Sequence, residues 1–192
     1  MPVFAFMSLR GLSSVFTLVC SLAVGCGAPP AARPARMNDA VLHQRDWQDE
    51  SGHRVAIDDY RGTPFVLTEV FTSCEVRCPM TLDALRTMDA ELQKRGVKAS
   101  FVLVTLDPRT DTPDRLRRWR ATRDLPSSFH LLSGTEQRAR ELSRYLAVNA
   151  AYDDGHIDHE VGIALFDAQG NEARRYGGWT IDADDAAEAV HR

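Results

Sequence analysis

Two cysteines, Cys74 and Cys78, stand four residues apart in the stretch FTSCEVRCPMT at 71–81. Thiols so spaced can close a structural disulfide, exchange disulfides with another protein, or clamp a soft metal ion. A disulfide here would close a loop of about five residues and stabilise the fold by only ~2 kcal/mol, because short loops gain least. The surrounding pattern sets Cys74 at the end of an apolar strand and Cys78 at the entry to a helix. Unpaired backbone N–H groups and the helix dipole favour thiolate over thiol there. An exposed strand-to-helix turn is a poor place for a staple and a good one for chemistry. Adding one imidazole gives an S,S,N set suited to Cu(I) and, with tetragonal distortion, Cu(II). The same three ligands leave zinc short of its usual structural four. Two histidines, His156 and His159, lie in GHIDHE at 155–160, just ahead of a further apolar run.

The elements that must position these groups can be read from hydrophobic periodicity. PFVLTEVF at 64–71 and ASFVLVTL at 99–106 are β-rich runs with the character of buried strands. Between them a helix is expected, with Pro79 in its first turn, Met80, Leu82, Leu85, Met88 and Leu92 on one broad face, and Gly96 as its stop. Strand, helix and strand in that order make a βαβ crossover. Upstream, RDWQDESGHRVAIDDYRG predicts a small hairpin around Ser51-Gly52. Downstream, Thr112-Pro113 opens a second helix and residues 135–146 form a third. VGIALFD, a turn at AQGN and EARRYGG then predict an antiparallel hairpin, and a helix over 182–190 ends the chain. The expected class is α/β: a thioredoxin-like fold, a central mixed sheet flanked by helices, with an extra N-terminal β-hairpin.

The chain has 192 residues and a formal net charge of −4, a mildly acidic balance that gives no reason to expect nucleic acid as a partner. Residues 1–25 carry a single charge, Arg10, ahead of the apolar stretch GLSSVFTLVCSLAVG, the pattern of a secretory signal peptide. Its end, Leu22-Ala-Val-Gly-Cys26, resembles a bacterial lipobox, in which the cysteine becomes the lipidated first residue, although Ala23 stands where leucine is usual. Plain cleavage near this site, or an uncleaved anchor helix, are the alternatives. All three put the rest of the chain outside the cytoplasm, and the lipobox reading anchors it at a bacterial membrane on the periplasmic side. Residues 26–37, rich in proline and small residues, read as a flexible lipid-anchored tether, and 38–192 as the domain. With Cys20 in the signal and Cys26 acylated, the domain keeps Cys74 and Cys78 alone as thiols.

The order of Cys74-Glu-Val-Arg-Cys78-Pro79, LDPRTDTP at 106–113, LLSG at 131–134, and Ile157-Asp-His159 before VGIALFDAQG resembles the Sco/SenC family of copper-binding thioredoxin-like proteins. The resemblance runs from about Trp47 to Gly170 and implies that copper, as Cu(I) or Cu(II), is held by Cys74, Cys78 and His159. It singles out His159 over His156. It also implies delivery of the copper to the dinuclear CuA site of cytochrome c oxidase subunit II during assembly, with an upstream copper donor or thiol reductant as a further partner. The family commonly has proline after the first cysteine, where this chain has Glu75. A carboxylate there bears on thiol pKa and on the preferred copper charge.

A thiol–disulfide oxidoreductase that reduces the recipient's cysteines is the alternative activity, with Cys74 attacking and Cys78 resolving. Reductases of this fold typically carry CxxC and a proline before the opposing strand. Here the cysteines are one residue further apart and no proline follows Pro126. A peroxidase fits less well, since Thr72 stands two residues before Cys74 and peroxiredoxin-type sites use a spacing of three. Asp107 is a candidate to support the site from behind the ligands, with capping of its own loop as the structural alternative. Glu69, inside an apolar strand, is expected to reach solvent or an arginine. The arginines 115, 117, 118, 120 and 123 are expected to form a solvated basic helix face.

Overall fold

A computed structural model describes residues 40–153 and 156–190. The expected signal peptide, the tether with Cys26, and His191 lie outside the described residues. In chain order the elements are α1 (Ala40–His43), β1 (Trp47–Asp49), β2 (Arg54–Val55), a 3-10 turn (Ile57–Tyr60), β3 (Phe65–Val70), α2 (Arg77–Lys94), β4 (Ser100–Thr105), α3 (Pro113–Thr122) and β5 (Phe129–Ser133). They continue with α4 (Glu136–Tyr145), β6 (Ala150–Asp153), β7 (His156–His159), β8 (Gly162–Phe166), β9 (Glu172–Gly177) and α5 (Ala183–Val190).

Seven strands form one mixed sheet in the order β2-β1-β5-β4-β3-β8-β9. β3, β4 and β5 run parallel, joined by crossovers through α2 and α3, while β8 returns antiparallel to β3. Strand β3 is buried along its whole length because both faces of the sheet are covered. On one face Val66, Phe101, Leu103 and Ile163 pack against Leu82, Leu85, Met88, Leu92, Leu116 and Ala186 of α2, α3 and α5. On the other, Phe65, Leu67, Val102, Val104 and Phe166 pack with Leu142 and Leu146 around α4, and with Trp47 and Val41 of the N-terminal segment. The expected N-terminal hairpin is β1–β2, closed by Gly52 at φ 88°, and it joins the main sheet through β5.

Three features differ from the sequence reading. β5 was not expected as a strand: FHLLS is short and carries His130, and its burial comes from parallel pairing to β4. AAYD and HIDH pair as β6–β7, a separate two-stranded sheet whose sequences lack the apolar alternation that marks a strand. Met80 is 41% exposed. At roughly 100° per residue it sits almost opposite Cys78, and the inward face of α2 is instead Cys78, Leu82, Leu85, Met88 and Leu92.

Candidate metal centre

The polypeptide leaves the sheet after Val70 and must turn sharply into α2. Cys74 N donates to Phe71 O at 3.2 Å, closing the turn. The N-cap of α2, Val76, has no side chain able to accept from the first amides of the helix. Cys74 fills that role: Cys78 N donates to Cys74 Sγ at 3.1 Å. The helix start that lacks a capping oxygen is thus capped by sulfur, and its positive end faces the atom that gains most from ionisation.

The two thiols share one proton between them. The hydrogen bond from the Cys78 side chain, helped by the Cys78 amide, pulls the Cys74 pKa from 9.0 down to about 5 against the opposing cost of burial. The Cys78 thiol, donating to Cys74 and deeply buried, is pushed strongly up. At neutral pH the pair is therefore a Cys74 thiolate held by a Cys78 thiol.

The third group arrives on β7, from the separate β6–β7 hairpin. His159 is buried and its Nδ1 lies 2.7 Å from the carbonyl oxygen of Glu160. A carbonyl only accepts, so Nδ1 carries the proton and Nε2 presents a bare lone pair. Nε2 is buried and has no hydrogen-bond partner. The ring is steadied by Phe71, edge-to-face at 5.4 Å. Cys74, Cys78 and His159 each bring a donor atom within 4.8 Å of the others, and among the described residues no other set of cysteine, histidine and carboxylate side chains gathers in this way. Two sulfurs and an orphaned imidazole nitrogen suit a soft cation, and the same thiolate–thiol pair can run disulfide exchange.

Asp107 caps its own loop, with Oδ1 accepting from Thr110 N at 3.3 Å. Asp158 is exposed and pairs with Arg77, linking the hairpin to the turn between the cysteines. His156 belongs to β7 by its backbone pairing with Asp153, and its side chain lies outside the described residues. Glu69 reaches neither solvent nor an arginine: it is 3% exposed on the α4 side of the sheet, accepts from Ser143 Oγ at 2.8 Å, and burial lifts its pKa to about 8. The arginines of α3 are largely engaged. Arg115 donates to Thr72, Arg117 and Arg120 reach Glu50, and Arg123 lies over Trp119. Sequence reasoning missed Asp111, which is 1% exposed and takes hydrogen bonds from both the amide and the hydroxyl of Thr72. Its only signal was a second aspartate in LDPRTDTP, and an aspartate in a Pro/Thr-rich loop reads as solvated. Beside His159 a cleft of about 800 Å³ opens, lined by Arg77, Arg140, Ser143, Tyr152 and Glu160.

A family profile described as SCO1/SenC matches residues 35–192. An SCO2-like protein of Rickettsia felis is 27% identical over 180 residues, spanning 83% of this chain and 87% of that protein. Arabidopsis thaliana ScoI, solved with copper bound, superposes with a TM-score of 0.66 at 22% identity, over 75% of this chain and 91% of that one. BsSco, described as a member of the Sco family of cytochrome c oxidase assembly proteins in which a disulfide switch was identified, gives a TM-score of 0.64 at 19% identity, over 76% and 88% of the two chains. The thioredoxin-like architecture and the profile match over most of the sequence lead to one conclusion: the chain belongs to the SCO1/SenC family.

Proposed function

We propose that this protein is an extracytoplasmic copper carrier that holds one copper ion through Cys74, Cys78 and His159 and passes it to the CuA site of cytochrome c oxidase subunit II. The observation that carries the reading is the buried His159 ring, which keeps Nε2 without a partner and brings a ring nitrogen within 4.8 Å of two sulfurs. Burying an unpaired polar nitrogen costs about 1–3 kcal/mol, and a metal ion at that point removes the cost. Cu(I) matches two thiolate sulfurs and one imidazole in both softness and coordination number. Copper also resolves the shared proton: binding displaces it from Cys78, so both sulfurs ligate as thiolates.

Copper is cargo here, and its release requires that a recipient's thiolates replace these ligands one at a time. His159 is suited to leave first. It sits on a hairpin outside the main sheet, beside an open cleft, whereas both cysteines belong to the turn at the start of α2. The lipobox-like Leu22–Cys26 supports a lipid anchor at Cys26, with residues 26–37 as the tether that lets the domain reach a membrane-embedded recipient.

The pKa asymmetry of the cysteines favours a second activity. The Cys74 thiolate would attack a disulfide of the recipient, form a mixed disulfide and release one recipient thiol, which takes up a proton. Cys78, losing its proton, would then displace the second recipient thiol and leave a Cys74–Cys78 disulfide. The decisive experiment is copper per chain in the reduced protein, loaded anaerobically and desalted, for wild type and His159→Ala. About one copper in wild type and loss or severe weakening in the variant supports the carrier. No copper in either, with ready cycling of the dithiol in a thiol buffer, replaces it with the oxidoreductase.

A further inference from the structure

We infer that Asp111 is a positioning residue of the copper site, its buried carboxylate fixing Thr72 and through it the turn that presents Cys74; the inference rests on the copper reading above.

Hydrogen bonding of β3 to its neighbours ends where Leu106 N donates to Val70 O at 2.8 Å, so the segment from Phe71 to Val76 has no ladder to hold it. Asp111 supplies the missing hold. Its Oδ2 accepts from Thr72 N at 3.0 Å and from Thr105 Oγ1 at 2.6 Å, and its Oδ1 accepts from Thr72 Oγ1 at 2.5 Å. Arg115 closes the network from α3: its Nε donates to Thr72 Oγ1 at 2.6 Å and lies 3.6 Å from Asp111 Oδ1. Thr105 Oγ1 accepts in turn from Asp107 N at 2.9 Å.

A carboxylate that is 1% exposed survives only where donors replace its water, and here both oxygens have them. The donors come from elements bordering the site, the turn after β3 and the end of β4, while α3 adds the charge of Arg115 beside them. One residue separates Thr72 from Cys74, whose own amide is bound to Phe71 O. The turn is therefore pinned at Thr72 by Asp111 and at Cys74 by the strand end and the helix start. With Thr72 released, Cys74 Sγ keeps its partner at Cys78 N, while its position relative to His159 Nε2 is no longer set. Substitution of groups that orient metal ligands from behind typically weakens metal affinity about 10–100-fold, and that is the effect expected for Asp111→Ala.

The test uses protein expressed from the full sequence and extracted in detergent. Cu(I) affinity is measured by competition with a chromophoric chelator, Cys74 reactivity by the rate of iodoacetamide alkylation, and stability by thermal melting. Asp185→Ala serves as the stability control, since it removes contacts to Arg174 and Tyr176 that hold α5. Asp111→Ala is expected to weaken Cu(I) binding about 10–100-fold. It should also alter the alkylation rate and move the thiolate-to-Cu(II) charge-transfer band of the Cu(II)-loaded form. Asp185→Ala should lose melting temperature with all three readouts unmoved. Adding Thr72→Val to Asp111→Ala should cost little further affinity, because both act on one residue. Should Asp111→Ala not fold, Thr72→Val alone decides, with a several-fold affinity loss expected and wild-type affinity overturning the inference. Wild-type affinity, alkylation and spectrum in a folded Asp111→Ala overturn it, as does an equal affinity loss in Asp185→Ala. If wild type takes up no copper, the carrier reading has failed separately, and an unchanged alkylation rate in Asp111→Ala then overturns the positioning role.

Discussion

Replacing Glu69 with Gln should remove a pH dependence of stability that wild type carries in its core. Glu69 sits on the central strand with Oε1 bound to Ser143 and Oε2 without a partner. Burial raises its pKa from 4.5 to about 8, so the folded state keeps the proton over a range where the unfolded chain has lost it. The contribution to stability is complete below the unfolded pKa and disappears as pH rises through the folded one. At about 1.4 kcal/mol per pKa unit, wild type loses on the order of 3 kcal/mol between pH 4.5 and 7, approaching 5 by pH 9. Gln carries no titrating proton and shows no such loss, but its amide nitrogen at the place of Oε2 lacks an acceptor and costs about 1–2 kcal/mol at every pH. The two stability curves are expected to cross between about pH 5 and 6, with the variant more stable above the crossing. Urea midpoints at half-unit steps from pH 5 to 8 measure this directly, with unchanged m-values as the check on two-state behaviour. Titration of Cys74 is common to both proteins and cancels in the difference. Parallel curves across that range would refute the assignment of a neutral Glu69.

Cys74→Ser and Cys78→Ser should each abolish copper retention on desalting, since either leaves one sulfur; a full complement of copper in either variant would sink the proposed ligand set. In the copper-free reduced protein, iodoacetamide should modify Cys74 at a rate that climbs as pH passes about 5 and levels off by neutrality, with Cys78 silent by peptide mapping. A rate that rises only above pH 8 would mean an ordinary thiol. Gly162→Ala should lose about 1–3 kcal/mol, because an added Cβ would lie 2.7 Å from both Leu146 O and Val148 Cγ2, and one of these is rigid backbone. Thermal melting would show it, and an unchanged melting temperature would mean that β8 moves more freely than its pairing with β3 implies.

The central part of the fold was legible because its signals are local. PFVLTEVF and ASFVLVTL are buried on both faces and read as continuous apolar runs, and the α2 stripe, Thr112-Pro113 and the turn at Gly170 each announce their element within a few residues. Strand β5 and the β6–β7 hairpin were not legible. Their segments pair because neighbouring strands are already in place, and neither AAYD nor HIDH carries a periodic pattern of its own. Met80 was misplaced for a related reason: residues two apart on a helix face nearly opposite sides, and only the docked sheet decides which side is buried.

The sequence by itself determined the chemistry on offer: two thiols at a strand-to-helix junction and a histidine ahead of a late strand. These follow from residue types and short spacings, which need no folding to be read. What only the tertiary structure decided was which of those groups meet and in what charge state. Eighty residues separate Cys78 from His159, and the packing of a hairpin outside the main sheet brings the imidazole to the sulfurs. Glu69 and Asp111 make the same point from opposite directions. Both are buried acids, one short of a partner and pushed toward neutrality, the other surrounded by donors. The difference lies in neighbours 74 residues away for Ser143 and 39 away for Thr72, contacts that exist only once the chain has closed on itself.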